Sequence, residues 1–454
     1  MRGLNVWHAI SVVAGTIIGS GIFLVPAEMM QAVGSAGLVY LAWIVGGLLS
    51  FFGALTYAEL GAVRPFSGGE YVYVRDAYGP LSGFLYGWTW FLIAKPASIA
   101  SITAGLVRVL GTFSAFSFLP QAFFSWHVTS SRVLVMNYGH LVAVAATVLI
   151  TALNYVGVRK AGNFQFAFTV LKVGMIVGIA FVALTAASGS WSNFGTSFAG
   201  AKGGMTGFMA ALVAALWAYD GWNDLNMVSE EVQRPERNIP IALIAGVGLV
   251  AVLYMGMNAG IQRALPAAAI AGAAVPASAA SEAAVGHWGI LLVSIGMLIS
   301  MLATLNGTIM SGGRVPFAVA RDGYLFRALG EVHPNFHTPA LALVIQAAVA
   351  IVLVLVGGAF RELFSLAIFA EWLFYMVAAS TIFVFRWREP DVARPYRTMG
   401  YPVVPALFIA TAAVLLYYTF TSNLRNSIFG VVVILLGVPV YFWFAQRKRL
   451  GTVR

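Results

Sequence analysis

The chain has 454 residues, of which 60% are apolar and only 9% charged, and its mean hydropathy is +0.87. A soluble protein of this length carries roughly a quarter of its residues as Asp, Glu, Lys or Arg, so this composition excludes a globule with a polar surface. The net charge of +10 does not indicate nucleic acid, because the basic residues sit in short patches between apolar runs, and with no cysteine in the chain disulfides, thiolate metal sites and a Cys nucleophile are excluded.

A membrane span needs about twenty mostly apolar residues. On that basis twelve helices are predicted, at 6–31, 37–63, 80–112, 137–157, 161–187, 206–231, 238–262, 288–321, 339–358, 362–386, 402–421 and 427–446. Arg2 ahead of an apolar stretch invites a cleavable leader, but that stretch runs on to Met30 and holds an unusual glycine pattern, so it is read as the first span. The Ala-rich stretch 264–285 contains Pro266, Pro276, several Ser and Glu282, and is read as an external loop with short helices.

Basic residues collect on the cytoplasmic side of a membrane protein. With the N-terminus inside, seventeen fall in inside segments (among them Arg64, Arg159, Lys160, Arg394, Arg397 and Arg447) and six outside: Arg108, Arg132, Lys202, Arg263, Arg361 and Arg425. The bias places both termini in the cytoplasm and supports an even number of spans. Lys95, Lys172 and Arg314 lie within spans, and Glu28, Glu59, Asp220, Asp224 and Glu371 lie in or near them. Charge inside a bilayer is costly and faces a cavity or a partner, so each is either functional or an ion pair holding helices together.

Two spans carry signs of interruption. In the first, Gly15, Gly19 and Gly21 fall in mid-span, with Ser20 between the last two and Pro26 following. Each glycine weakens a helix by about 1 kcal/mol relative to Ala. Gly15 and Gly19 alone would suit a small-xxx-small packing face; Ser20-Gly21 at mid-depth is better explained by a broken helix. Unwinding frees backbone groups, tolerable in a membrane only where they line a cavity or meet a ligand. The N-terminus of the outer half-helix then suits a carboxylate, and the last carbonyls of the inner half suit an ammonium. The sixth span holds Trp217-Ala218-Tyr219-Asp220-Gly221-Trp222-Asn223-Asp224 at its centre, polar beyond any lipid-facing need. Gly19 and Asp220 lie about 200 positions apart, as do Lys172 and Glu371, and paired interruptions in corresponding halves point to a midplane transport site.

These residues resemble the amino acid–polyamine–organocation superfamily, and within it the L-type amino acid transporters, over nearly the whole chain. The 15–23 segment is similar to that family's first-helix motif. Trp217 to Asn223, Leu225-Asn226, Ser229-Glu230-Glu231 and Arg237-Asn238-Ile239-Pro240 are similar to its sixth-helix signature. Lys95-Pro96-Ala97-Ser98, Asn306-Gly307, Trp372 to Tyr375 and Arg394 to Arg397 are similar to motifs of its third, eighth and tenth helices and the loop that follows. The resemblance implies an all-α membrane fold with a LeuT-like 5+5 inverted repeat: residues 1–190, then an inverted 200–390, then two extra C-terminal helices in 391–454. It places the substrate carboxylate on Ser20 and Gly21, its ammonium on carbonyls of Ile17, Trp217 and Asp220, Trp217 as a gate, and Asn223 and Asn306 at pocket positions, with Gly15, Gly19, Gly21 and Gly221 at the breaks. It further implies sodium-independent exchange of L-amino acids, with no cofactor and no metal. Animal members join a heavy chain through a Cys after the third helix. The 111–136 loop has none, so no disulfide-linked heavy chain is expected, and the short tails suggest a bacterial inner membrane.

An ammonium deep in the fifth span must find oxygens, and freed carbonyls at the first break would supply them for Lys172, standing in for a sodium ion; pairing with Glu371 is the alternative. Asp220 bears on selectivity, since an ionised carboxylate there favours cationic substrates and a protonated one neutral substrates. Against an enzyme, there is no HExxH, no GxSxG and no metal-ligand cluster, and Pro334 and Pro339 break any helix presenting His333 and His337. Against a channel, no filter motif is present. Within transport, proton-coupled uptake of amino acids or polyamines stands as the alternative to exchange.

Overall fold

The computed structural model describes residues 2–129, 132–356, 360–422 and 424–450, with side chains at the same positions except 127–129, 132–134, 360–369, 422, 425 and 426. Positions 357 and 358 of the ninth predicted span, and Arg454, lie outside the described residues.

The chain is mostly helical. The first predicted span is two helices, α1 (Val6–Ile17) and α2 (Gly21–Val33), followed by α3 (Ala36–Val63) and a short α4 (Glu70–Tyr78). The third combines α5 (Pro80–Thr89), a π turn (Trp90–Ala94) and α6 (Lys95–Leu110). Pro96 explains the turn: it has no amide hydrogen and its ring collides with the carbonyl one turn back, so the ladder widens ahead of it. After a hairpin of β1 (Ala122–Thr129) and β2 (Arg132–Asn137) come α7 (Tyr138–Tyr155) and α8 (Val158–Thr185). The second half runs through α9 (Gly204–Ala218), α10 (Asp224–Met227), α11 (Pro235–Ala264), α12 (Ala267–Gly272), α13 (Pro276–Val285), α14 (His287–Gly312) and α15 (Arg314–Arg321). It closes with α16 (Ala340–Val356), α17 (Phe360–Arg388), α18 (Val403–Ser422) and α19 (Leu424–Arg449).

Each predicted span contains helix, the first and sixth in two pieces, and the 264–285 loop carries the short α12 and α13. Among the described residues nine helical stretches are long and apolar enough to cross a membrane, with Gly204–Ala218 and Ala340–Val356 as shorter apolar helices. The hairpin between α6 and α7 was not expected. Local sequence sets several starts. Asn5 caps α1 by accepting the His8 amide at 3.0 Å while His8 Nδ1 accepts the Asn5 amide, and Asn137 and His140 repeat the device at α7.

Burial separates centre from rim. In the first span 78% of the apolar window is buried, against 22% for Ser427–Arg449, so α1 and α2 are central and α19 peripheral. Small residues bring the central helices together: a Cβ on Gly246 of α11 would lie 2.6 Å from Val13, and one on Gly15 would lie 2.2 Å from Gln165 of α8. Two of the intramembrane charges act as helix ties. Arg386 clasps Glu59 at 2.7 and 2.9 Å, and Arg314 holds Glu231 through two nitrogens while donating to the Met310 carbonyl at 2.6 Å.

Candidate functional site

The first interruption covers Ile18, Gly19 and Ser20; Ile18 turns the chain out of the helix (φ −73°, ψ 89°) and Gly21 opens α2. Gly15, expected at the break, lies one turn inside α1, where its missing side chain admits Gln165 and Thr169. The second interruption covers 219–223, with Gly221 at φ 105°, a conformation L side chains rarely adopt.

The two breaks meet reciprocally. A Cβ on Gly21 would lie 3.1 Å from Ala218 Cβ at the end of α9, and one on Gly221 would lie 3.1 Å from the Thr16 carbonyl carbon at the end of α1. Thr16 Oγ1 donates to the Gly221 carbonyl at 2.8 Å, and the Tyr254 hydroxyl of α11 lies 3.2 Å from the Ile17 carbonyl and 2.9 Å from that of Ala218.

Lys172 of α8 closes the first break from behind. Its Nζ donates to the carbonyls of Gly15 and Ile18, both at 2.7 Å, and of Ser300 at 3.3 Å. Ser300 and Thr304 of α14 add hydroxyls to the Ile18 carbonyl at 2.7 and 3.1 Å. Three acceptors match the three donors of an ammonium. No Lys172–Glu371 pair forms among the described residues.

Between the breaks lies a cavity of about 140 Å³ whose wall includes Ile17, Gly19, Ser20, Gly21, Trp217, Asp220, Gly221 and Glu371. One side presents the first amides of α2, which have no partner within their helix. Opposite stand the end of α9 and the Asp220 carboxylate. Lys95 and Asp224, paired with each other, and Glu371 complete the charged lining, so three carboxylates face one ammonium. The cavity shares Ser20, Ser101, Gly105, Trp217 and Met301 with a wider vestibule of about 970 Å³ lined by α13 and the link before it, where Glu28 and Arg108 lie. Trp217 stands at the junction of the two spaces.

Asn223 and Asn306 are fully buried and lie outside the cavity wall, because their side chains are consumed elsewhere. Asn223 donates to Glu70 at 2.6 Å and accepts the Tyr375 hydroxyl at 3.1 Å; Asn306 donates to Gln165 at 2.7 Å and accepts from Asn154 at 2.9 Å. Ser98 of the Lys95-Pro96-Ala97-Ser98 motif, Ser101, Thr304 and Thr308 line the cavity too, and none of the four is among the expected site residues. A signal was there: Lys95, Ser98, Ser101 and Gly105 recur at helical spacing, as do Ser300, Thr304 and Thr308. Among the described residues no group of three His, Asp or Glu side chains is placed to hold a metal ion.

The arrangement suits a small zwitterion, with amides for an anionic end, and carbonyls and a carboxylate for a cationic end. Comparison with known proteins gives the same direction. The family described as amino acid permease matches residues 4–443. Over 452 residues the chain is 32% identical to the serine/threonine exchanger SteT of Bacillus subtilis (strain 168), with 98% of each covered. It is 31% identical to the b(0,+)-type amino acid transporter 1 of Mus musculus, covering 98% of this chain and 88% of that one. It is 30% identical to the cystine/glutamate transporter of Homo sapiens, covering 98% and 85%.

Proposed function

We propose that this chain, which belongs to the amino acid permease family, is a secondary carrier of L-amino acids working by sodium-independent exchange. The observation that carries the reading is the cavity itself, where the α2 N-terminus and the α9 C-terminus face each other across a space the size of a small ligand. The substrate carboxylate rests on the Ser20 and Gly21 amides, and its ammonium on the carbonyls of Ile17 and Trp217 and on Asp220. Asp220 extends the range from neutral toward cationic substrates. Trp217 closes the cavity against the vestibule. The names of the relatives, an exchanger of serine and threonine and transporters of other amino acids, support the substrate class.

The Lys172 ammonium holds the first break in shape and takes the place of a bound sodium ion, which is why exchange needs no sodium. Around this site the twelve helices form a LeuT-like pair of inverted five-helix repeats, 1–190 and 200–390, followed by two extra helices. The protein spans a bacterial inner membrane with both termini cytoplasmic, the vestibule facing outward and α4 and α15 facing the cytoplasm. With no cysteine in the chain, a disulfide to a heavy chain cannot form.

Proteoliposomes test this. Uptake of radiolabelled L-serine, L-leucine or L-arginine that requires unlabelled amino acid inside supports exchange. Equal uptake into empty vesicles under an imposed pH gradient supports proton coupling instead, a reading favoured by the excess of carboxylates over Lys95 in the cavity wall. No transport of any amino acid in either arm would overturn both.

A further inference from the structure

Glu70, the partner of Asn223, is completely buried and, among the described residues, forms no ion pair. A carboxyl in that position is costly unless hydrogen bonds hold it. Asn223 Nδ2 donates to one oxygen at 2.6 Å and the Tyr86 hydroxyl of α5 to the other at 3.3 Å. Glu70 is the first residue of α4, and the chain just before it is pressed onto the sixth-span break: the Gly68 amide donates to the Met227 carbonyl at 2.9 Å, and a Cβ on Gly69 would lie 2.6 Å from the Asn226 carbonyl carbon. The start of α4 and the half-helix α10 are therefore seated backbone to backbone, with Glu70–Asn223 as the side-chain bond between them.

Each end of this joint leads somewhere. Toward the cavity, the Tyr375 hydroxyl lies 3.1 Å from Asn223 Oδ1 and 3.0 Å from Asp220 Oδ1. A phenol has one proton, so it favours either Asp220 or Asn223. A substrate ammonium that takes the charge of Asp220 weakens its claim on that proton, and the hydroxyl turns toward Asn223. Toward the cytoplasm, Tyr71 and Arg75 of α4 both bind the Asp322 carboxylate beyond α15, Tyr71 at 2.6 Å. The path from cavity to closure is Asp220, Tyr375, Asn223, Glu70, α4, Asp322, every link a contact between named groups.

We infer that Glu70 is a positioning residue for the transport step: it passes occupancy of the cavity, through Asn223, to the cytoplasmic closure. This rests on the exchange reading. A residue that merely fills a polar gap would shift binding and transport together, whereas a coupling residue shifts transport alone.

The test uses full-length protein in liposomes for exchange and in detergent for equilibrium binding, with radiolabelled L-serine, L-leucine and L-arginine as probes. Glu70→Gln keeps the shape and loses one acceptor; binding stays within about threefold while the maximal exchange rate falls about tenfold at unchanged KM. Asn223→Asp sets two carboxylates against each other and lowers the rate about a hundredfold. In the double variant the amide introduced at position 70 donates to the carboxylate introduced at position 223, and the rate returns to that of Glu70→Gln or better. Binding and exchange falling in step in Glu70→Gln, or additive losses in the double variant, would overturn the inference. Absence of exchange by the wild type counts against the exchange reading; normal wild-type exchange with either of those mutant patterns counts against Glu70 alone.

Discussion

The two interruptions that wall the cavity are stabilised by opposite means. At the first, the Gly15 and Ile18 carbonyls are met by one basic side chain, Lys172, with Ser300 and Thr304 around it. At the second, the break is longer, its chain passes through a positive φ at Gly221, and carboxylates outnumber the one cation around it: Asp220, Asn223 and Tyr375, with Asp224 paired to Lys95. The first break is a preset shape with its charge supplied by the protein. In the proposed cycle the second leaves carboxylates in reach of the ligand and hydrogen bonds free to rearrange, so that the ligand biases one of two arrangements there.

The largest effect expected from breaking this division is at the point where the breaks touch. Gly21→Leu puts a branched side chain where a single Cβ already lies 3.1 Å from Ala218. It should reduce exchange to background, at least about a hundredfold, while the protein is still recovered from membranes as a monodisperse species. Near-normal affinity for an amino acid in the folded variant would refute the placement of the carboxylate.

A smaller effect is expected at the junction with the vestibule. Trp217→Ala should lower the maximal exchange rate about tenfold with affinity changed less than about threefold, because a closing residue acts on the conformational step. An unchanged rate would reduce Trp217 to packing. The smallest effect belongs to the second break. Asp220→Asn should lower L-arginine exchange about fivefold more than L-leucine exchange, through loss of one charge in specificity rather than in general binding. Equal losses would assign Asp220 to the common ammonium or to the fold.

Much of this contrast was legible in the sequence, for a physical reason. Aspartate and asparagine in mid-span are costly in lipid, and a cluster of glycines weakens the helix that holds it, so both interruptions announce themselves. The spans are equally legible, since a hydrocarbon core imposes their length. What was not legible depends on which face of a helix meets which neighbour. Gly15 and Gly19 have the same composition signal, but only the structure separates a packing glycine from one in the break. The resemblance put Asn223 at a pocket position, and it is turned to Glu70, more than 150 residues away in sequence. The polar stripes on α6 and α14 were present as periodicities, but their common cavity is a tertiary fact. The hairpin β1–β2 left no strong alternating pattern in a segment bounded by two apolar helices.

The proposed fixed cation at the first break, Lys172, decides whether exchange needs sodium. The direct measurement is exchange of L-serine, L-leucine and L-arginine by wild type and Lys172→Ala in proteoliposomes, with sodium present and with choline in its place. Removing the ammonium takes the charged donor from the Gly15 and Ile18 carbonyls and leaves them only the Ser300 and Thr304 hydroxyls, a lost charge-assisted bond costing about 1.5–3 kcal/mol. Wild-type exchange should be the same in both media, and Lys172→Ala should lose at least about tenfold in rate, with sodium restoring part of it. Wild-type exchange that needs sodium, or full activity of Lys172→Ala in choline, would contradict that role.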